Sequence, residues 1–348
     1  MRASPETTTL TRAAGDPHTV TESLVIGGTR FIGRHLVEEL RAHDHHVTIC
    51  NRGTHDNPFA DADDVDHVET DRTERRDLQA AKLAVEPDYV FDMVAYQPEE
   101  VETATEVFAD VDGYVYVSSG ASYAGEEIPK REGVTELRDC TPEQATDESG
   151  ATYGNRKAEG DRVVARAAEE GVAACAVRPC IVYGPHDYTE RLDYWIERVL
   201  TQDRVVVPGD GDNVWHRAYV ESVASALRIV AESGRPGEAY NVGDRRLVTI
   251  REMVELIAEV AGTDVEVVGA GDRELSAAGL STEEFVLYRE YPHVLATAKL
   301  AALGWESTPL REAMARSVTA HRESDRDGSD HDPGRERRET VLDVLDTV

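Results

Sequence analysis

At 348 residues, 40% of them hydrophobic and 30% charged, the chain is long enough to bury one large core or two modest ones. No apolar run approaches the roughly 18 residues that a membrane span needs. The 37 basic and 68 acidic residues give a net charge of −31, and no basic stripe stands out, which argues against nucleic acid or an anionic membrane as a partner. Lysine occurs only at Lys82, Lys130, Lys157 and Lys299. A surface this acidic repels itself in dilute buffer, and salt screens that repulsion over about 10 Å at 0.1 M and about 3 Å at 1 M. The composition resembles that of proteins from salt-adapted cells. Residues 1–20 are polar, lack the apolar core of a secretory signal and read as a flexible arm, so a cytoplasmic location is expected. Cys50, Cys140, Cys175 and Cys180 are widely spaced and read as reduced thiols, with no metal site implied.

Short apolar runs then alternate with longer amphipathic stretches, the pattern of a parallel sheet wrapped by helices. Strands are expected at Ser23–Ile26, His46–Cys50, Val65–Glu69, Tyr89–Val94, Tyr114–Val117 and Ala173–Val177. Helices are expected at Ile32–His43, Thr73–Val85, Glu99–Ala109 and Gly154–Glu170. Beyond Gly184 the pattern loosens: helix over Arg191–Leu200, strand over Arg204–Val207, amphipathic Val220–Glu232, a short strand at Ala239–Val242 and helix over Ile250–Ala261. From about His321 the chain is charged and contains Gly and Pro, ending in an amphipathic piece that can dock or stay mobile.

The first strand runs into Gly27-Gly28-Thr29-Arg30-Phe31-Ile32-Gly33, which opens a helix. Gly27 permits a tight turn and Gly33 allows close helix–strand packing, so amides at the helix start can hold a pyrophosphate. Arg30 stands where the motif's middle glycine would be. At the end of the second strand, the position of an acidic residue that grips a ribose hydroxyl, the chain has Asn51 and Arg52. Arg52, with Arg30 beside it, suits a 2′-phosphate, which points to NADP over NAD.

Tyr153 and Lys157 stand four apart at the start of a helix, so phenol and ammonium share a face. A nearby cation is expected to bring the phenol's pKa down from near 10, fitting Tyr153 as a general acid or base. The fifth strand leads into Ser118-Ser119-Gly120-Ala121-Ser122-Tyr123, at the strand ends where such sheets carry their sites.

The set GGTRFIG, SSGASYA, YGNRK, RPCIVYGP, HRAYV and YNVG resembles the extended short-chain dehydrogenase family of nucleotide-sugar epimerases, dehydratases and reductases, over roughly Leu24 to Trp305. The GGTRFIG form also resembles a divergent branch that includes chloroplast stem-loop RNA-binding proteins. The resemblance implies Tyr153 and Lys157 as the catalytic pair, with Lys157 also holding the nicotinamide ribose. It implies Ser119 as the catalytic hydroxyl when SSGASYA is laid ungapped on the dehydratases' STDEVYG, with Ser118 and Ser122 as alternatives. Arg217 matches the family's diphosphate-binding arginine. Ile181 stands where the family has a diphosphate-contacting Asn, the span Tyr96 to Val117 holds no relay Asn, and Gly120-Ala121 replaces the dehydratases' Asp-Glu pair.

The expected fold class is therefore α/β, a Rossmann-type doubly wound parallel sheet with a smaller mixed α/β C-terminal substrate lobe. Residues 21–183, with 218–245 returning, would bind the dinucleotide, residues 184–217 and 246–320 would bind substrate, and residues 321–348 would form a tail. The expected cofactor set is Gly27, Gly28, Thr29, Arg30, Phe31, Ile32, Gly33, Asn51, Arg52, Asp71, Tyr153, Lys157 and Arg178, with Ser119 and Arg217 on the substrate. The expected activity is NAD(P)-dependent hydride transfer on a sugar, nucleotide sugar or related secondary alcohol or ketone, with a homodimer as the expected assembly. The alternative is a catalytically silent nucleotide-binding or RNA-associated protein on the same fold.

Overall fold

The computed structural model describes residues 20–347. Apart from Val20, the expected N-terminal arm lies outside the described residues.

The first half of the chain alternates strand and helix: β1 (Thr21–Ile26), α1 (Phe31–Arg41), β2 (His45–Asn51), β3 (Val65–Glu69), α2 (Arg75–Val85), β4 (Tyr89–Asp92), α3 (Pro98–Val107) and β5 (Gly113–Val117). A short α4 (Pro142–Ala145) precedes α5 (Tyr153–Glu169), β6 (Ala174–Pro179) and β7 (Ile181–Tyr183). Then follow α6 (Arg191–Thr201), β8 (Arg204–Pro208), β9 (Arg217–Tyr219), α7 (Val220–Ser233), β10 (Ala239–Val242), α8 (Ile250–Ala261) and β11 (Glu266–Ala270). The chain closes with α9 (Asp272–Ala277), α10 (Ala298–Ala301), α11 (Leu310–Arg322) and α12 (Arg335–Leu345).

Seven strands make one parallel sheet in the order β10-β6-β5-β4-β1-β2-β3, with chain direction switching sides at β1 and β4. This is the Rossmann-type doubly wound arrangement. Alternation along each strand divides the core between the two faces. Leu24, Ile26, Tyr114, Tyr116, Ala174 and Ala176 pack with Val101, Ala104, Val163 and Val164 on one side. Their neighbours Val25, Val115, Val117, Cys175 and Val177 pack with Leu36, Val37, Val223 and Leu227 of α1 and α7 on the other. Helix α5 comes close to the sheet because Gly160 has no side chain: a Cβ there would lie 2.5 Å from the Tyr116 hydroxyl.

Two small parallel pairs, β8 with β11 and β7 with β9, build the C-terminal part beside this sheet. The charged C-terminal stretch packs against that part. Glu190 accepts hydrogen bonds from the backbone nitrogens of Asp327 (3.3 Å) and Gly328 (3.0 Å). His331 Nε2 donates to the Thr189 carbonyl at 2.8 Å, and Arg198 pairs with Asp332 at 2.9 Å. Val341 on α12 is 1% exposed. No described helix is long and apolar enough to cross a membrane. The four cysteines are free, Cys50 and Cys175 being buried.

Candidate active site

A cleft of about 710 Å³ opens over the C-terminal ends of β1, β4, β5 and β6, in the size range of small-molecule sites. Its floor at one end is the turn between β1 and α1. Gly27 adopts φ +96, and a Cβ on Gly33 would lie 2.2 Å from the Gly27 carbonyl oxygen, so only glycine permits this close crossing. Helix α1 begins with no side-chain cap and no acidic residue in its first turn. Its free amides and positive dipole end therefore face the cleft, a cradle that fits a dinucleotide pyrophosphate.

At the β2 end, Asn51 Oδ1 accepts from the Gly53 backbone (2.8 Å) and from His67 Nε2 (3.1 Å), while its buried Nδ2 has no intramolecular partner. Arg52 is exposed. Arg30 lies over the Tyr188 ring, 4.0 Å from its centroid, and its Nη1 lies 3.3 Å from His55 Nε2. Asp71 accepts from Thr73 through backbone nitrogen (3.0 Å) and hydroxyl (2.7 Å), contacts that hold its carboxyl below the usual range. Below them Arg72 pairs with the buried Asp92, which also accepts from the Tyr114 hydroxyl at 3.0 Å.

At the middle of the cleft stand Ser119, Tyr153 and Lys157. Ser119 follows β5, and its Oγ accepts from the Ala121 nitrogen at 3.1 Å, capping a short turn. Tyr153 opens α5, and Lys157 lies one turn further on. Lys157 Nζ donates to the carbonyls of Ala95 and Val117, each at 2.8 Å, and sits 5.8 Å from the Tyr153 ring centroid. Burial pushes the ammonium down to about 8, with Asp92 and Asp161 opposing the fall.

The expected lowering of the Tyr153 pKa is corrected here. Burial pushes the phenol up to about 12, partly offset by the Ser119 hydroxyl beside it. Lys157 Nζ is held by two main-chain carbonyls and makes no hydrogen bond to the phenol, which leaves it one donor free toward the cleft.

Gly27, Thr29, Arg30, Phe31, Ile32, Gly33, Asn51, Arg52, Asp71, Ser119, Tyr153 and Lys157 all line this one cleft. Three expected residues stand elsewhere. Gly28 is a packing glycine, where a Cβ would meet Ile49 at 3.0 Å and Val37 at 3.1 Å. Arg178 is buried away from the lining, its Nε on Asp161 (2.9 Å) and its Nη1 on the Tyr123 hydroxyl (2.8 Å). Arg217 is also buried, its Nη2 on the Val248 carbonyl at 2.9 Å, so it is not on the cleft wall. Of the alternatives to Ser119, Ser118 lines the cleft but lies beside Asp161, and Ser122 is fully buried. Sequence reasoning missed Trp215, Arg289 and His293, which also line the cleft. Trp215 directly precedes a recognised motif, whereas Arg289 and His293 sit in an irregular stretch with no period to mark them.

Residues 23–243 match the model of the NAD dependent epimerase/dehydratase family. The chain belongs to that family, the extended short-chain dehydrogenase type. Among curated relatives it is 26% identical over 251 residues to the chloroplast stem-loop binding protein of 41 kDa b of Arabidopsis thaliana, covering 69% of this chain and 63% of that protein. It thus spans less than two thirds of that relative. It is also 26% identical over 311 residues to the low-salt glycan biosynthesis protein Agl12 of Haloferax volcanii, covering 81% and 92% of the two chains. The fold matches dTDP-glucose 4,6-dehydratase of Bacillus anthracis in complex with NAD, with a TM-score of 0.69, 18% identity and 90% and 100% coverage. It also matches the UDP-glucose 4-epimerase of Thermotoga maritima with UDP-glucose, with a TM-score of 0.66, 23% identity and 86% and 98% coverage.

Proposed function

We propose that this protein is an NAD(P)-dependent enzyme that oxidises and reduces a secondary alcohol or ketone on a sugar, nucleotide sugar or related molecule. The observation that carries this reading is the convergence of Ser119, Tyr153 and Lys157 on the cleft floored by the glycine turn. A bound nicotinamide would supply the site for hydride exchange. Ser119 would orient the substrate oxygen and Tyr153 would hold or take its proton. Lys157, fixed by Ala95 and Val117, would grip the ribose at the inner end. Residues 21–183 with 218–245 would serve the cofactor, and residues 184–217 with 246–320 the substrate. We further propose NADP as the preferred cofactor, because Arg52 and Arg30 stand at the β2 end and no carboxylate occupies position 51 or 52. A cytoplasmic location and homodimeric assembly accord with this reading.

Two assays test it. Titration with NADP and NAD should show tighter NADP binding, eroded in Arg52→Ala; equal affinities unchanged in that variant would defeat the preference. In a panel of sugar-nucleotide and carbonyl substrates, Tyr153→Phe should retain cofactor binding and lose about 10²–10⁴ in turnover. Cofactor binding with turnover of no member would instead support the silent binding-protein alternative.

A further inference from the structure

Of the two positions at which the family contacts a substrate diphosphate, only Arg217 keeps a polar side chain, and it does not line the cleft. Position 181 is an isoleucine on the cleft wall, and Arg217, paired with it across β7 and β9, is buried with its Nη2 on the Val248 carbonyl and its Nη1 unpartnered. What stands beside Ser119 instead is a compact group from two distant segments. Trp215 and His293 are joined by a β-bridge, and the His216 backbone nitrogen donates to the His293 carbonyl at 3.0 Å. Further bonds strap the same segment: Lys130 N to Val294 O (2.7 Å), Ala296 N to Lys130 O (2.8 Å) and Leu295 N to His216 Nδ1 (3.1 Å). The His293 imidazole fills the space that Gly120 leaves open, since a Cβ on Gly120 would lie 3.0 Å from Nε2. His293 is 6% exposed, yet its Nδ1 has no partner. Arg289 carries its guanidinium over the Trp215 ring, 5.5 Å from the centroid, and its buried Nε is also unpartnered.

Among the described residues Arg289 makes no ion pair, although the chain carries 68 carboxylates. The other cations of the cleft are placed or committed differently. Arg30 and Arg52 stand at the dinucleotide end, Arg72 pairs with Asp92, and Lys157 is held by two carbonyls. Arg191 lies close to Asp187, whose carboxyl burial raises and Arg191 partly offsets. Burial, with Arg289 and Lys130 nearby, keeps His293 neutral. A neutral imidazole offers one donor and one acceptor, which suits a hydroxyl.

We infer that Trp215, Arg289 and His293 form the substrate subsite, and that it takes a sugar ring bearing a single anionic group in place of a nucleoside diphosphate. The ring lies against the Trp215 face, a hydroxyl meets His293, and the anion pairs with Arg289, whose guanidinium offers a planar fork for carboxylate or phosphate. The inference rests on the proposed function above and narrows its substrate class.

The test uses the full chain saturated with NADP and reads the fluorescence of Trp215, the other two tryptophans, Trp195 and Trp305, being 0% and 2% exposed. The probes are glucose 1-phosphate, glucuronate, UDP-glucose and glucose, each also titrated calorimetrically. Glucose 1-phosphate or glucuronate should quench the fluorescence, and the comparison of the two decides between phosphate and carboxylate. Arg289→Gln should weaken that ligand at least about tenfold, the effect of losing one charge-assisted contact. NADP affinity should not change, and Trp215→Phe should abolish the quench while the melting temperature stays near wild type. Equal binding to wild type and Arg289→Gln would overturn the inference, as would tight binding of UDP-glucose with neither single-anion sugar bound. NADP binding without binding of any probe would also overturn it, leaving the enzyme assignment standing. A wild-type protein that binds no cofactor would instead remove the proposed function itself.

Discussion

Lys157 passes the Tyr153 phenol by: its ammonium lies 5.8 Å from that ring's centroid and is held at 2.8 Å by each of the Ala95 and Val117 carbonyls. The two side chains share a helix face, as residues four apart must. Sharing a face brings the ammonium over the ring but not into a hydrogen bond with the hydroxyl. In the free protein the lysine is a fastener between β4 and β5, and the phenol stays protonated.

This relationship fixes a titration. With burial holding Tyr153 at about 12, the tyrosinate absorbance of wild type minus Tyr153→Phe should remain flat through neutral and moderately alkaline pH. Bound oxidised NADP should bring the transition down, by adding a positively charged ring beside the phenol. A Tyr153 signal titrating near neutrality in the cofactor-free protein would contradict the burial argument.

Lys157 gives a stability prediction of definite sign. Its folded-state value is about 8 against 10.5 for the free side chain. Below pH 8 both states carry the charge, and the folded state bears the full cost of a buried ammonium. Between those two values the folded state gives up its proton first, so stability rises with pH. At ~1.4 kcal/mol per pKa unit, wild type should gain on the order of 3 kcal/mol relative to Lys157→Met across that window. Denaturant unfolding of both proteins at pH 7, 9 and 10.5 measures it, and a constant difference would refute it.

Gly33→Ala should be costly in a way that Gly150→Ala is not. The added methyl at position 33 would lie 2.2 Å from the Gly27 carbonyl, while at position 150 it would meet nothing within 4 Å. The first variant should lose roughly 1–3 kcal/mol of stability, and its cofactor affinity should fall as the turn is forced open. The second should match wild type in both. The contrast is read by denaturant midpoint and cofactor titration.

The net charge of −31 predicts salt dependence. Raising KCl from about 0.1 M to about 1 M shortens the screening length from about 10 Å to about 3 Å, so the melting temperature should climb by several degrees. A flat response would remove the basis for a saline-cell origin.

The doubly wound sheet was legible because its signal is periodic and repeated: Leu24 and Ile26 face one way, Val25 the other, and the same alternation recurs at Tyr114–Val117. The glycine turn, Ser119, Tyr153 and Lys157 were legible because steric and chemical demands restrict those positions to few residue types. Arg178 and Arg217 misled for a shared reason. A cation beside a site motif looks the same in sequence whether it faces a ligand or closes an internal network with Asp161 or the Val248 carbonyl. Trp215, Arg289 and His293 were illegible because a β-bridge between residues 78 apart in sequence brings them together, and no local pattern encodes that pairing.

The clasp between residues 327–332 and the loop carrying Thr189 and Glu190 has a consequence for the order of assembly. Thr189 is part of the cleft wall, yet His331 holds its carbonyl and the Gly328 amide holds Glu190, 142 and 138 residues further along the chain. On the ribosome, the sheet and the glycine turn can form long before that segment emerges. The wall beside Tyr188, already packed against Phe31 and Arg30, gains this further support only once residues 327–332 have emerged. A nascent chain stalled before residue 327 would thus hold a folded sheet with an unfinished cleft, and a bulky fusion that lifts α12 away would reproduce that state in the mature protein.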